Sequence, residues 1–357
     1  MAVRVGVIGA GTFGTVHLRV YKQQLEPAGK VKLVAFSDMV PEILEKQQKA
    51  FDVKGYADYH KMLAEQELDA VSVVTPDPYH EQPCIDVANS GRHVLVEKPL
   101  ATSVAGCDRI IEAAKKSNVL LQVDFHKRFD PDHQELERII QEGKLGTIQY
   151  GHVHMEEQIL VPTVWFKKWA HLSSSSWYLG VHFYDVVRWQ LKSNARRVYA
   201  KGHKGKLLNE YGIDAYDSIQ ALVEFENGTT VCFDTSWILP NGFEALTNQY
   251  LRMLGTKGMW EADSQNRGVE ACYEEEGQKT HNVHFLREYR DKQGRMRLYG
   301  YGVDSIVDFI DNVIALKNGA TLKDLEGKYP SGEDGREVSR IAEAVDKSIA
   351  TGQVIEL

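Results

Sequence analysis

A β-rich run, Val3 to Ile8, breaks directly into Gly9-Ala10-Gly11-Thr12-Phe13-Gly14, and helix-forming residues Thr15 to Gln24 follow. A G-x-G-x-x-G turn between a strand and a helix leaves few folds open and is the fingerprint of dinucleotide binding. Gly9 permits the tight turn, Gly11 lets the backbone approach a pyrophosphate, and Gly14 lets helix and strand pack closely. Free N–H groups and the positive end of the helix dipole then face the anion, with Ala10, Thr12 and Phe13 completing the turn. Asp38 ends the next apolar run 24 residues after Gly14, where an acid binds ribose hydroxyls. No Arg or Lys follows it immediately, and a carboxylate repels a 2′-phosphate. NAD is therefore expected rather than NADP.

The first third of the chain alternates strand-like and helix-like stretches. Runs at Val31 to Ser37, Asp69 to Thr75, His93 to Glu97 and Val119 to Phe125 read as strands. Pro41 to Ala50, Asp58 to Glu65, Tyr79 to Asn89 and Ser103 to Ser117 read as helices. Strands rich in Val, Ile and Leu between helices predict a doubly wound parallel sheet covered on both faces. Beyond Phe125 the pattern changes. A helix is expected over Asp132 to Gln141. Longer strands are expected at Ile148 to Gln158, Val198 to His203, Asp217 to Glu226 and Thr229 to Trp237, with late helices at Asp304 to Leu316 and Glu333 to Ala350. Asn227-Gly228 marks a hairpin, and Gly255 and Gly258 mark another. Ser173 to Ser176 reads as a loop. The expected organisation is an α/β chain: a Rossmann domain over 1–125 and an α+β domain over 126–357 with a large open, mainly antiparallel sheet.

The chain carries 42 Lys plus Arg against 50 Asp plus Glu, a net charge of -8. A mildly acidic protein is a poor match for phosphate backbones or anionic membranes, so neither nucleic acid nor membrane is an expected partner. No apolar run of about 18 residues is present, so no transmembrane helix is expected. The N-terminus reads as a first strand rather than a signal peptide. Cys84, Cys107, Cys232 and Cys272 lie far apart, with neither zinc nor disulfide spacing. A reducing, cytoplasmic setting fits.

Glu97-Lys98-Pro99 closes the strand from His93. With the glycine turn, Thr75-Pro76 and His80, the N-terminal third resembles the Gfo/Idh/MocA oxidoreductases. These include inositol, glucose and other sugar dehydrogenases. The resemblance continues through His126-Lys127-Arg128-Phe129-Asp130-Pro131, Gly180-Val181-His182-Phe183-Tyr184-Asp185, the strand from Asp217 to Gly228, and Pro330-Ser331-Gly332-Glu333-Asp334-Gly335. It implies a cofactor site that also draws on Thr75, Pro76, His80, Glu97, Lys98 and Arg128, and homodimers or homotetramers assembled through the C-terminal sheet. It places the family's catalytic lysine on Lys98 and its catalytic histidine on His182. Many members carry an aspartate four residues before that histidine; here the position is Tyr178.

Oxidising an alcohol requires loss of the hydroxyl proton and of a hydride; the cofactor takes the hydride and the protein manages the proton. Lysine, with an ordinary pKa near 10.4, is a poor base at neutral pH but stabilises developing negative charge. Histidine, ordinarily near 6.5, is the natural proton acceptor. Lys98 is accordingly read as the electrophilic partner and His182 as the base. Tyr178, one helical turn earlier, orients His182, relays a proton, binds substrate or simply packs. The expected substrate is a sugar, an inositol-like polyol or a sugar derivative, oxidised at a secondary or anomeric hydroxyl.

Other residues carry two readings each. Thr75 faces the cofactor or caps the next turn. Arg128 lines the site or braces the domain junction. Trp165, Trp169 and Trp177, around Lys167, Lys168 and His171, stack on sugar faces or pack into the fold. Asp185 is expected to pair with Arg188 at i,i+3. His152, His154 and Glu156 alternate along one strand and are read as a polar sheet face or subunit contact rather than a metal site. The acidic run Glu274 to Glu276 is expected in a solvated turn. Two other functions remain open: an enzyme with tightly held NAD using transient oxidation for glycoside cleavage, and a non-catalytic NAD sensor.

Overall fold

The computed structural model describes residues 2–357. The chain forms two compact units, Met1–His126 with Phe285–Arg336, and Lys127–His284 with Glu337–Leu357.

In the first unit, strands β1 (Val3–Ile8), β2 (Val31–Ser37), β3 (Lys54–Tyr56), β4 (Ala70–Val73), β5 (His93–Val96) and β6 (Leu121–Val123) form one sheet in the order β3-β2-β1-β4-β5-β6. All its pairings are parallel. Every residue of β4 is buried, as a strand covered on both faces requires. The order reverses between β1 and β4, and the crevice at the carboxyl ends there is where such sheets bind ligands. Helices α1 (Thr12–Arg19), α2 (Pro41–Phe51), α3 (Tyr59–Glu65), α4 (Glu81–Asn89) and α5 (Val104–Ser117) connect the strands. Local chemistry sets their starts. Pro41 is at the first position of α2, and the side chains of Asp58 and Ser103 cap α3 and α5 by accepting backbone N–H groups.

The later segment of this unit was expected in the second domain. Helix Tyr301–Lys317 sends Val303, Ile306, Phe309, Ile310 and Val313 into the same core as Val3, Val5, Val7, Leu33 and Phe36. The Pro330-Ser331-Gly332 stretch pairs with β6: the Val123 N–H donates to the Pro330 carbonyl at 2.9 Å. A Cβ on Gly332 would lie 2.6 Å from a Leu121 methyl and 3.0 Å from the Ile111 side chain, so the stretch packs closely here. Ser331 and Asp334 cap the following helix reciprocally.

In the second unit, β7 (Ile148–Gln158), β8 (Ala195–His203), β9 (Ser218–Phe225), β10 (Thr230–Leu239), β11 (Thr247–Gly255) and β12 (Met259–Asp263) form a sheet in the order β12-β11-β7-β10-β9-β8, with the C-terminal strand Ile355–Glu356 beside β8. Only β7 and β10 pair in parallel. Asn227-Gly228 makes the β9–β10 turn, Gly228 at φ +86°. Alternation is clear: Val153, Met155, Val231, Phe233, Ala221 and Leu251 are buried, whereas Tyr150, Tyr199 and Leu222 on the other face are exposed. Helices α6 (Pro131–Gln141) and α7 (Val181–Leu191) belong to this unit, and Tyr184 of α7 meets Phe233 of β10 edge-on. Among the described residues no helix is long and apolar enough to cross a membrane.

Candidate functional site

The glycine turn has the geometry its sequence predicts. Gly9 sits at φ +89°, and a Cβ there would lie 2.4 Å from the Val74 carbonyl oxygen. A Cβ on Gly14 would lie 2.1 Å from the Gly9 oxygen, so helix α1 and the turn interlock. Gly11 has nothing within 4 Å of its would-be Cβ. That open space at the start of α1 is what a pyrophosphate needs. The two glycines thus separate fold from binding. Gly14→Ala is expected to lower stability by about 1–3 kcal/mol, as overpacking does. Gly11→Ala is expected to keep the melting temperature and weaken NAD binding about tenfold or more. Thermal denaturation and calorimetric titration read the two effects; equal melting losses would contradict this division.

Asp38 is half-buried past the end of β2. Its two carboxylate oxygens accept the N–H groups of Ala10 (2.8 Å) and Val40 (2.9 Å), tying it to the glycine turn. Phe13 packs against His126, 6.1 Å between ring centres, and against Phe285. Thr12 is exposed at the first position of α1. The Thr75 hydroxyl donates to the Tyr79 carbonyl at 2.9 Å, which is the turn-capping role, and Pro76 precedes the short helical turn Asp77–Tyr79. His80 is buried. Its Nδ1 lies 2.6 Å from the Pro99 oxygen and its Nε2 2.7 Å from the Thr75 oxygen, so it ties the segment after β4 to the segment after β5. Burial lowers its pKa, against the pull of Asp77 and of the two carbonyls.

Glu97 and Lys98 follow β5 and are both buried, 6 % and 7 % exposed. The adjacent strands β1, β4 and β5 therefore present Gly9, Thr75 and Lys98 at their carboxyl ends. Two further ionisable residues, absent from the sequence-based set, join Glu97. They are His17 on α1 and Asp124 after β6, whose ligand-type atoms lie with those of Glu97 within 4.8 Å of one another.

In the second unit, a wide helical turn, Ser176–Gly180, leads without a break into α7. His182 is buried in the first turn of α7. Gly180 is needed here because a Cβ would lie 2.9 Å from the Tyr184 ring. The serine run expected as a loop is instead packed: Ser175 bonds Thr235 and Ser176 bonds Tyr184, each at 2.9 Å. Tyr178 is half-buried. Its ring lies 4.6 Å from Phe166, 6.0 Å from Trp169 and 6.2 Å from Trp237. Trp169 thus shares an aromatic cluster with Tyr178, whereas Trp165 is exposed. Trp177 is buried, and its indole N–H donates to the Asp346 carboxylate at 2.7 Å, a packing role.

Arg128 makes a two-pronged pair with Asp185, Nε to Oδ2 at 2.7 Å and Nη2 to Oδ1 at 2.5 Å. Asp185 is fully buried, and Arg128 thereby braces α7. The sequence pattern offers Asp185 only Arg188; Asp185 takes Arg128 as a partner from outside its own helix, and the Arg188 Nε donates to Asn194. Lys127 is buried too. Its ammonium donates to Gln249 and lies 4.7 Å from the centre of the Phe183 ring, and burial pushes its pKa down to about 7. His152, His154 and Glu156 share the outward face of β7, where His152 lies 2.9 Å from Asp234 and His154 stacks on Tyr250.

Comparison with known proteins identifies the family. Residues 3–125 match the NAD-binding Rossmann fold of the oxidoreductase family GFO/IDH/MocA, and residues 133–261 match that family's C-terminal domain. The chain is 27 % identical to a Thermotoga maritima protein named myo-inositol 2-dehydrogenase, over 99 % of this chain and 98 % of that one. It is 28 % identical to a Bacillus subtilis scyllo-inositol 2-dehydrogenase (NAD(+)) over 72 % of each chain. The solved structure of a Lactobacillus plantarum myo-inositol 2-dehydrogenase shares the fold, with a TM-score of 0.81 at 21 % identity and full coverage of both chains. The glycine turn, the matched domains and the whole-length likeness together show that this chain belongs to the Gfo/Idh/MocA family of oxidoreductases, with an NAD-binding Rossmann domain.

Proposed function

We propose that this protein oxidises a secondary or anomeric hydroxyl of an inositol-like polyol, a sugar or a sugar derivative, with NAD as the acceptor. The observation that carries the reading is Lys98, buried at the carboxyl end of β5 in the same sheet edge as the open glycine turn. Likeness to relatives named as inositol dehydrogenases, over 99 % of this chain in one and 72 % in another, supports the substrate class. Bound NAD supplies the hydride acceptor. The open backbone at Gly11 and the N-terminus of α1 suit its pyrophosphate, and Asp38 suits a ribose hydroxyl.

The chain's own residues then have the following work. Lys98 donates to the reacting oxygen and stabilises the charge that grows there as the proton leaves. His182 accepts the proton. Arg128 acts on His182 indirectly, by fixing Asp185 one turn further along α7. Trp165, Trp169 and Tyr178 offer ring faces to the C–H face of a sugar or cyclitol. The outward face of the second sheet, with Tyr150, Tyr199 and Leu222 exposed, suits assembly of a homodimer or homotetramer. Cys84, Cys107, Cys232 and Cys272 form no disulfide, which fits a reducing cytoplasm.

NADH formation against a panel of inositols, aldoses, sugar acids and glycosides, with NAD and with NADP, tests the reading. Turnover on a polyol or sugar with NAD supports it; NAD binding without turnover on any member contradicts it. One observation favours a second reading. Tyr178 and its aromatic neighbours occupy the position of the aspartate common in the family. A changed proton set suits an enzyme that keeps NAD and cleaves a glycoside through transient oxidation, which appears in the panel as glycoside cleavage without net NADH.

A further inference from the structure

The chemistry above leaves one buried cluster unused. His17 comes from α1, three residues after Gly14; Glu97 and Asp124 follow the neighbouring strands β5 and β6. The side chains of His17 and Asp124 are fully buried and that of Glu97 is 8 % exposed. His17 Nε2 lies 3.2 Å from Glu97 Oε1 and 3.6 Å from Asp124 Oδ2. Its Nδ1 is buried and has no partner among the described residues. A neutral ring therefore carries its single proton on Nε2, facing the acids.

Burial lowers the His17 pKa to about 4, against the attraction of Asp124, so the ring is neutral at neutral pH. Two ionised carboxylates brought together in a buried site are costly, and a proton held between them relieves that cost. Burial and the neighbouring Glu97 push Asp124 well above the ordinary carboxyl range. Burial raises Glu97 to about 7, opposed by the adjacent Lys98 and aided by Asp77. The other groups around the cluster are neutral hydroxyls: Ser305 on helix Tyr301–Lys317 acts on Asp124, and Tyr21, bonded to Ser72 of β4 at 2.6 Å, lies near it.

We propose that His17, Glu97 and Asp124 form a positioning triad in which one proton bridges the two carboxyls, holding the Glu97-Lys98-Pro99 turn from its inner side while none of the three touches substrate. His80 holds the same turn separately, at the Pro99 carbonyl. The positioning role rests on Lys98 being the group that holds the reacting oxygen; the shared proton does not.

Infrared difference spectroscopy of the full-length protein, saturated with NAD and labelled with 13C-aspartate, tests the proton directly. At pH 8 the wild type is expected to show the C=O stretch of an un-ionised aspartic acid that Asp124→Asn lacks. Kinetics test the positioning. Asp124→Asn keeps a donor toward Glu97 and is expected to hold kcat within about threefold. Asp124→Leu removes the donor and is expected to lower kcat about tenfold or more with an unchanged KM for NAD. No un-ionised aspartate at pH 8 overturns the proposal. So do equal kcat values in the Asn and Leu variants, or a stoichiometric divalent metal in the purified protein that His17→Asn loses. If Asp124→Leu does not fold, the infrared band and Asp124→Asn still decide. Wild type that shows the band but no turnover on any polyol or sugar removes the proposed reaction and leaves the proton assignment standing.

Discussion

Lys98→Ala is expected to lower NADH formation on the order of 10²–10³-fold, the loss typical of removing one fixed donor from a developing oxyanion. NAD affinity is expected to stay within about twofold, because the pyrophosphate cradle lies at the other strand of the crevice. Gly9 to Gly14 follow β1, whereas Lys98 follows β5, with β4 between them. The lysine is 7 % exposed, so its ammonium acts where water screens it little. Single-turnover kinetics and calorimetric NAD titration separate the two quantities. Loss of NAD binding in step with turnover would mean that Lys98 serves the cofactor rather than the reacting oxygen.

His182→Asn is expected to lower kcat by about 10²–10⁴-fold, the range for a positioned general base. Asparagine keeps a polar side chain of similar reach in the first turn of α7 but cannot take a proton near neutral pH. The acid limb of the kcat/KM profile should disappear with it. Glu97, its pKa raised by burial to about 7, also titrates near neutral pH, so a limb there must be assigned by variants. A limb that survives His182→Asn and moves in Asp124→Asn would belong to the carboxyl pair. The sign of the stability effect differs as well. The folded-state pKa of Glu97 lies above its unfolded value, so its protonation stabilises the fold most in acid, and this contribution is lost as pH rises through about 7.

The nucleotide half was legible because its signals are local. A buried strand, three spaced glycines and a capped helix each occupy a few consecutive residues, and the structure returns them nearly unshifted. The long strands of the second unit were legible from alternation, and Asn227-Gly228 from turn chemistry. What escaped depends on distant partners. Asp185 pairs with Arg128, 57 residues earlier, while an i,i+3 rule sees only Arg188. The serine run looks like a loop in isolation, yet its hydroxyls are met by Thr235 and Tyr184. Strand β3 is three residues long with a glycine in the middle, too short for a periodic signal. The hairpin strands Glu270–Tyr273 and Arg287–Arg290 are exposed almost throughout, so no alternation marks them. The acidic run beyond Tyr273 is the turn expected of it. Helix Tyr301–Lys317 was seen as a helix, but its packing partner is the sheet begun 300 residues earlier, which its own pattern cannot name. The cluster of His17, Glu97 and Asp124 draws one residue from each of three elements and has no linear signature.

The most direct test of the central claim is isotopic. An inositol carrying deuterium on the carbon of the reacting hydroxyl is incubated with the protein and NAD, and the NADH is weighed by mass spectrometry. The account predicts one deuterium in the NADH, formed by the wild type and all but absent with Lys98→Ala. NAD bound tightly, with no deuterium reaching it from any inositol or sugar in the panel, would contradict it.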